Sequence, residues 1–257
     1  MITSTGNGQV KYLIQLQSKA KKRKECQEFV VEGHKMVAEA PKDRLVKIYA
    51  SETFVKSNPS YMEKLNFPYE TVSDNVFAQV SDTKTPQGIL AIVKMLKYTL
   101  DDMLKAENPL IVILENLQDP GNLGTILRTS EGAGVTGVIM SPNTVDIYNP
   151  KTIRSTMGSL YRMPFMYAQD FEDTLNQLKN AGIMLNAAHL EGSVEYTGAD
   201  YRVPSAFLIG NEGNGLTDRT AKVSGRCVRI PMCGQVESLN AAIAASILLF
   251  EAKRQRN

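Results

Sequence analysis

Hydrophobic residues in this chain fall into two alternating textures. Dense short runs, LIVILE (110–115), TGVIMS (136–141), GIMLNAAH (182–189), SAFLIG (205–210) and RIPM (229–232), have the length of buried strands. Between and after them, apolar residues recur at helical spacing in LGTILRTSEGAG (123–134), NPKTIRSTMGSLY (149–161), DFEDTLNQLKNAG (170–182) and the alanine-rich 240–255. Strands alternating with helices predict a parallel sheet covered on both faces. Ligands in such sheets bind beyond the carboxyl ends of the strands.

The first hundred residues carry a smaller α/β pattern. A basic amphipathic stretch (10–24) precedes a strand at EFVVEG, a helix at HKMVAEA and a strand at LVKIYAS. A helix at SDNVFAQVS and a strand at GILAIVKM follow, separated by the loop DTKTPQG. Periodicity fades in 97–109, which ends in Pro109. This places one domain at 1–98, a linker at 99–108 and a second domain at 109–257.

Charge changes the picture at one place. The chain has a net charge of +2. Residues 1–24 nevertheless hold Lys11, Lys19, Lys21, Lys22, Arg23 and Lys24 and no acid, so the remainder is acidic. Such a cluster suits a polyanion, because Lys and Arg release counterions from phosphates; a solvated helix face is the competing account. The N-terminus lacks an apolar signal core, and the longest apolar run (241–250) is far below the roughly 20 residues that span a bilayer, which points to a cytoplasmic protein. Three unpaired-looking cysteines and two distant histidines give neither a disulfide frame nor a metal-ligand pattern. The fingerprint of nicotinamide-binding folds is missing as well, which weighs against an oxidoreductase.

Three loops after strands carry the polar residues that stand out. ENLQDPGNLGTILR holds turn formers and then Asn122 and Arg128, which an ideal helix would set about 240° apart. In FLIGNEGNGL, three glycines permit close backbone approach around Glu212. Ser238 and Asn240 open the last helix, where Ser238 serves either as an ordinary helix cap or as part of a site.

Taken in order, ENLQDPGNLGTILRTSEGAG, LIGNEGNGL and IPMCGQVESLNAAIAASILLFE resemble the three signature motifs of the SpoU/TrmH family of RNA ribose 2′-O-methyltransferases, within the SPOUT superfamily. FVVEG and SDTKTPQGILAIV resemble that family's N-terminal substrate-binding domain. The resemblance implies a mostly parallel C-terminal sheet tied in a trefoil knot, with helices on both faces, plus the small N-terminal α/β domain. It implies S-adenosylmethionine held by Gly210, Ile230, Met232 and Leu239, and catalytic roles for Asn122, Arg128, Glu212, Ser238 and Asn240, with no metal. An arginine is a poor base, so Arg128 is expected to stabilise the forming alkoxide and grip phosphate. Glu212 is expected to fix loop or asparagine geometry. RNA contacts are expected from Lys19, Lys21, Lys22, Arg23, Lys24, Lys151 and Arg154; a surface or dimer helix is the other account of the last two. The family works as homodimers. Ribosomal RNA is the expected substrate, with a transfer-RNA methylase or a non-catalytic RNA-binding protein on the same fold as alternatives.

Overall fold

The computed structural model describes residues 1–190 and 194–257. In chain order the first region runs α1 (Gly8–Ser18), α2 (Ala20–Cys26), β1 (Glu28–Glu32), α3 (His34–Ala38), β2 (Leu45–Ser51), α4 (Glu52–Ser57), α5 (Pro59–Leu65), β3 (Tyr69–Val72), α6 (Asp74–Val80) and β4 (Ile89–Lys94). Then come α7 (Leu100–Leu104), β5 (Leu110–Leu114), α8 (Pro120–Ala133), β6 (Gly137–Met140), α9 (Pro150–Thr156) and β7 (Phe165–Tyr167). The chain ends with α10 (Phe171–Asn180), β8 (Met184–Ala188), β9 (Val194–Glu195), β10 (Ser205–Ile209), α11 (Asp218–Val223), β11 (Arg226–Arg229) and α12 (Ala241–Arg256). Two units emerge, Met1–Leu96 with Tyr148–Tyr161, and Lys97–Ile147 with Arg162–Asn257.

In the first unit the sheet order is β1-β4-β2-β3, antiparallel except for the β2–β3 pair. Leu13, Leu16, Val30, Tyr49, Phe77 and Leu90 form part of its core. The basic stretch read as one amphipathic run breaks at Lys19, whose extended backbone separates α1 from α2. That break has a physical consequence. Arg23, expected among the RNA-contacting cations, is only 3% exposed, and its Nη1 donates to the carbonyls of Leu16 and Gln17 at 2.7 and 2.9 Å. These are C-terminal carbonyls of α1 that have no partner within their own helix. Arg23 therefore ties the two helices together and does not present its charge to solvent. Lys19, Lys21 and Lys24 stay exposed, and Lys22 lies over the Tyr12 ring at 5.6 Å. Helix α9, kept with the second region by the sequence reading, packs in the first unit against β1. Its Asn149 cap and first-turn Pro150 are as expected. Arg154 on this helix pairs with Asp82 at 2.6 Å, so that guanidinium already has an anion.

The second unit holds a seven-stranded sheet ordered β7-β6-β5-β10-β8-β11-β9, with every strand pair among the described residues parallel. The central strands β5 and β10 are buried at every position, as a sheet covered on both faces requires. One face packs Ile111, Ile113, Leu175, Leu178 and Leu208 together. On the other side of the strands, α12 runs against β10 and α8. Arg256 anchors the far end of α12 by donating to the carbonyls of Tyr201, Asn108, Pro109 and Val203. The segment expected as a linker instead carries α7, started by a Thr99–Asp102 capping box, with Met103 fully buried. Gly137 makes room for that side chain, since a Cβ there would lie 2.3 Å from Met103 Cγ. The strand expected at RIPM ends earlier, at Arg229, so Ile230 and Met232 belong to the loop beyond it.

The Arg23 arrangement predicts an asymmetric pair of variants. Arg23→Ala should destabilise the protein by about 2 kcal/mol, leaving two carbonyls without a charged donor. Lys24→Ala should stay within about 0.5 kcal/mol of the parent. Urea unfolding measures both, and equal effects would contradict the structural role given to Arg23.

Candidate active site

The three polar loops meet at one hydrogen-bonded junction in the second unit. At its centre is Glu212, in the loop after β10. Its Oε1 accepts from the Asp119 N–H at 2.9 Å and from Asn122 Nδ2 at 2.9 Å, and its Oε2 accepts from the Gln118 N–H at 3.0 Å. Asn122 turns its Oδ1 to Asn240 Nδ2 at 2.9 Å. Asn240 in turn caps α12, its own Oδ1 accepting from the N–H groups of Ala242 and Ile243. Each amide uses one end towards the next loop, so one relay joins the loops after β5, β10 and β11.

Local sequence explains why the relay forms. Asp119 caps α8 and Pro120 starts it, which places Asn122 in the first helical turn, not before the helix. The cap of α12 is Asn240, so the simple capping account of Ser238 does not hold; Ser238 sits two residues earlier, in the loop. The β10 loop folds on itself. Asn211 and Gly215 exchange both backbone hydrogen bonds, and Asn211 Oδ1 accepts from the N–H groups of Gly213 and Asn214. Gly210 is packed so closely that a Cβ would lie 2.1 Å from the Gly215 carbonyl carbon and 2.2 Å from the Leu216 nitrogen. No other residue fits there without moving the backbone.

Beside the junction lies a cavity of about 540 Å³, within the usual small-ligand range of roughly 300–1,000 Å³. Its walls bring together Gly210, Ile230, Met232 and Leu239, all four residues expected at a cofactor, and also Glu212 and Ser238. Ile209, Leu216, Val228 and Leu248 supply apolar surface, while the tight β10 loop supplies backbone. This mixture suits a ligand with a flat heterocycle, a ribose and a short charged chain, as S-adenosylmethionine has. Among the described residues, no group of three His, Cys, Asp or Glu side chains is placed to hold a metal ion.

Arg128 stands apart. It lies six residues further along α8, about 9 Å on from Asn122, exposed, and it does not line the cavity. Its face of α8 adjoins the outer face of α12: Thr129 and Ser246 are hydrogen-bonded at 3.2 Å, and Phe250 lies beside Gly132. Ile243 and Phe250 are 51% and 50% exposed there. The cations Lys19, Lys21, Lys22, Lys24, Lys151 and Arg154 belong to the first unit.

Sequence reasoning missed several contributors. Glu115, in the first motif, is buried and accepts from the Thr217 N–H, Thr217 Oγ1 and Thr220 Oγ1 at 2.8, 2.9 and 2.7 Å, fastening the exit of the β10 loop. His189, Asp218 and Glu237 line the cavity. Thr217 reads as a helix cap, and taking it as one would have put Asp218 at a helix start beside the glycine loop.

Burial opposes ionisation of Glu212, but the Asn122 amide and the backbone N–H groups of Asp119 and Gln118 outweigh it and hold the carboxyl below the usual glutamate range. At neutral pH Glu212 is thus an acceptor, suited to positioning and not to giving up a proton.

Comparison with known proteins adds the following. Residues 109–250 match the family model described as the SpoU rRNA Methylase family, and residues 7–91 match an MRM3-like substrate binding domain. The chain is 31% identical over 255 residues to the 23S rRNA (guanosine(2553)-2′-O)-methyltransferase RlmP of Bacillus subtilis, covering 98% of both. An AdoMet-bound rRNA methyltransferase structure from Sinorhizobium meliloti superposes with a TM-score of 0.87 at 35% identity, covering 98% of this chain and 97% of that one. The SpoU methyltransferase AviRb from Streptomyces viridochromogenes, in complex with AdoMet, gives 0.88 at 26% identity, covering 97% and 98%.

The depressed pKa of Glu212 sets the sign of a pH effect. Its contribution is complete above the ordinary glutamate pKa and is lost as pH falls through the lower folded value. Amide exchange at Gln118 and Asp119, corrected for intrinsic rates, should therefore stay protected at neutral pH and lose protection in acid below the usual carboxylate range. In Glu212→Gln that protection should already be reduced at pH 7. Unchanged protection in the variant would remove Glu212 from the centre of the junction.

Proposed function

Because the chain belongs to the SpoU rRNA methylase family, we propose that it transfers a methyl group from S-adenosylmethionine to a ribose 2′-hydroxyl of ribosomal RNA. The observation that carries the reading is the Glu212–Asn122–Asn240 relay set against the cavity lined by Gly210, Ile230, Met232 and Leu239. The S-adenosylmethionine-bound neighbours and the 23S rRNA specificity in the name of the Bacillus relative support the donor and the substrate class.

Bound S-adenosylmethionine supplies a methyl group on a sulfonium, with a neutral thioether as leaving group. The residues of this chain have three tasks. Gly210 with the backbone of its loop, Ile230, Met232 and Leu239 hold the donor. Asn122, Ser238 and Asn240 orient the ribose and the loop edge, while Glu212 keeps Asn122 in register. Holding hydroxyl, methyl and sulfur in line supplies much of the acceleration. Arg128 then stabilises the negative charge that grows on the ribose oxygen as its proton leaves, and grips an adjacent phosphate.

For Arg128 to do this, a second copy of the chain has to bring it to the site. The exposed apolar face made by Ile243 and Phe250 beside α8 supports a homodimer in which each Arg128 serves the other protomer. The trefoil knot belongs to the same reading, with the segment leading into α12 as the threaded part. Lys19, Lys21, Lys22, Lys24 and Lys151 are the surface cations proposed to meet RNA phosphates; Arg154 would join them only by leaving Asp82. No helix among the described residues is long and apolar enough to cross a membrane; the cytoplasmic location in this reading rests on the ribosomal RNA substrate.

Arg128→Ala should retain S-adenosylmethionine affinity within about twofold and lose methyl transfer by at least about 100-fold, the scale of an electrostatic stabiliser. Mapping ribose methylation in ribosomal RNA from cells carrying or lacking the gene identifies the substrate. Mixing inactive Arg128→Ala with inactive Asn122→Ala protein should restore part of the activity, because one mixed site regains both residues. Full turnover by Arg128→Ala would refute its assigned role, and failed complementation would refute its supply from the second protomer.

A further inference from the structure

The charge lining the cavity is one-sided. Glu212, Asp218 and Glu237 contribute carboxylates, and among the described residues no Lys or Arg lines it. Glu212 is committed to the loop junction. Asp218 and Glu237 are not committed: among the described residues neither forms an ion pair or a side-chain hydrogen bond. The arginine next to Asp218, Arg219, is paired with Glu172 on α10. The cavity therefore offers two unneutralised carboxylates in addition to the structural one.

That imbalance matters for the ligand proposed above. The methyl donor carries a carboxylate, an ammonium and a sulfonium. Transfer breaks the sulfur–methyl bond, its electron pair stays on sulfur, an oxygen–methyl bond forms, and the hydroxyl proton leaves to solvent. The demethylated product differs from the donor by one methyl group and one positive charge, with the ammonium and carboxylate unchanged. A negative lining distinguishes donor from product by that charge.

We propose that Asp218 and Glu237 make this site select the cationic donor over its neutral product, so that the charge lost on transfer loosens the spent cofactor. The inference rests on the reading of the cavity as the S-adenosylmethionine site. It gives these two carboxylates a role separate from holding the ribose or the loop. The interaction is a through-space one in a solvent-connected cavity, so it is modest per residue and sensitive to salt.

Calorimetric titration of the full chain with S-adenosylmethionine, S-adenosylhomocysteine and sinefungin tests it. Sinefungin replaces the sulfonium with a protonated amine and so keeps the charge without the reactive methyl. The wild type should bind donor and sinefungin more tightly than the product at low salt, with the ratio shrinking as salt rises. Asp218→Asn and Glu237→Gln should each weaken donor and sinefungin roughly threefold, and the pair about tenfold, while leaving the product within about twofold. The product's affinity in the same variant controls for a fold-wide lesion. Parallel weakening of all three ligands would overturn the proposal, because it would place the carboxylates on the shared ammonium or in the fold. Unchanged ratios would overturn it too. If the wild type binds none of the three, the cofactor reading of the cavity fails along with it.

Discussion

A carboxylate that gathers three donors from the loop and first helical turn after β5 is the constraint on which this site depends. Glu212 takes hydrogen bonds from Gln118, Asp119 and Asn122, and Asn122 passes the connection on to Asn240. The loops that carry these residues also bury Leu117 and Leu216. Their positions relative to one another follow from the relay, together with the sheet that launches them and the close backbone packing at Gly210. A charged acceptor makes the hydrogen bonds roughly twice as strong as neutral ones, and its depressed pKa keeps it charged at neutral pH.

The same economy runs through the rest of the second unit. Polar side chains that look like surface decoration fasten backbone to backbone: Glu115 holds the exit of the β10 loop, and Arg256 gathers four carbonyls at the end of α12. In the first unit Arg23 does this for α1 and α2. Charge left over after these duties is what remains for ligands. In the cavity it is negative, at Asp218 and Glu237; on the N-terminal helices it is positive, at Lys19 and Lys24.

Much of this was legible in the sequence, and the exceptions share a cause. Strands β2, β5 and β10 and the capped start of α9 followed from composition and turn chemistry, because those signals act over a few neighbouring residues. The four residues expected at a cofactor were placed by family resemblance, and all four line the same cavity. Arg23 could not be read, since nothing local distinguishes it from its lysine neighbours; its burial follows from the break at Lys19. The 99–108 segment hid a helix because five residues are too few to show a period, while packing of Leu100, Met103 and Leu104 supplies the stability. Asn122 and Asn240 were singled out as polar residues near a site, but their partnership spans 118 residues, and no local pattern encodes a contact at that separation.

The relay is tested most directly by a double-mutant cycle on S-adenosylmethionine affinity. Asn122→Ala removes the middle of the chain, and Asn240→Ser keeps an oxygen for the helix cap while withdrawing the amide that reaches Asn122. If the loops are coupled through this bond, the double variant binds the donor hardly worse than the weaker single variant, a coupling on the order of 1 kcal/mol. Strictly additive losses would mean that the two residues act independently, and the account of a single connected site would be wrong.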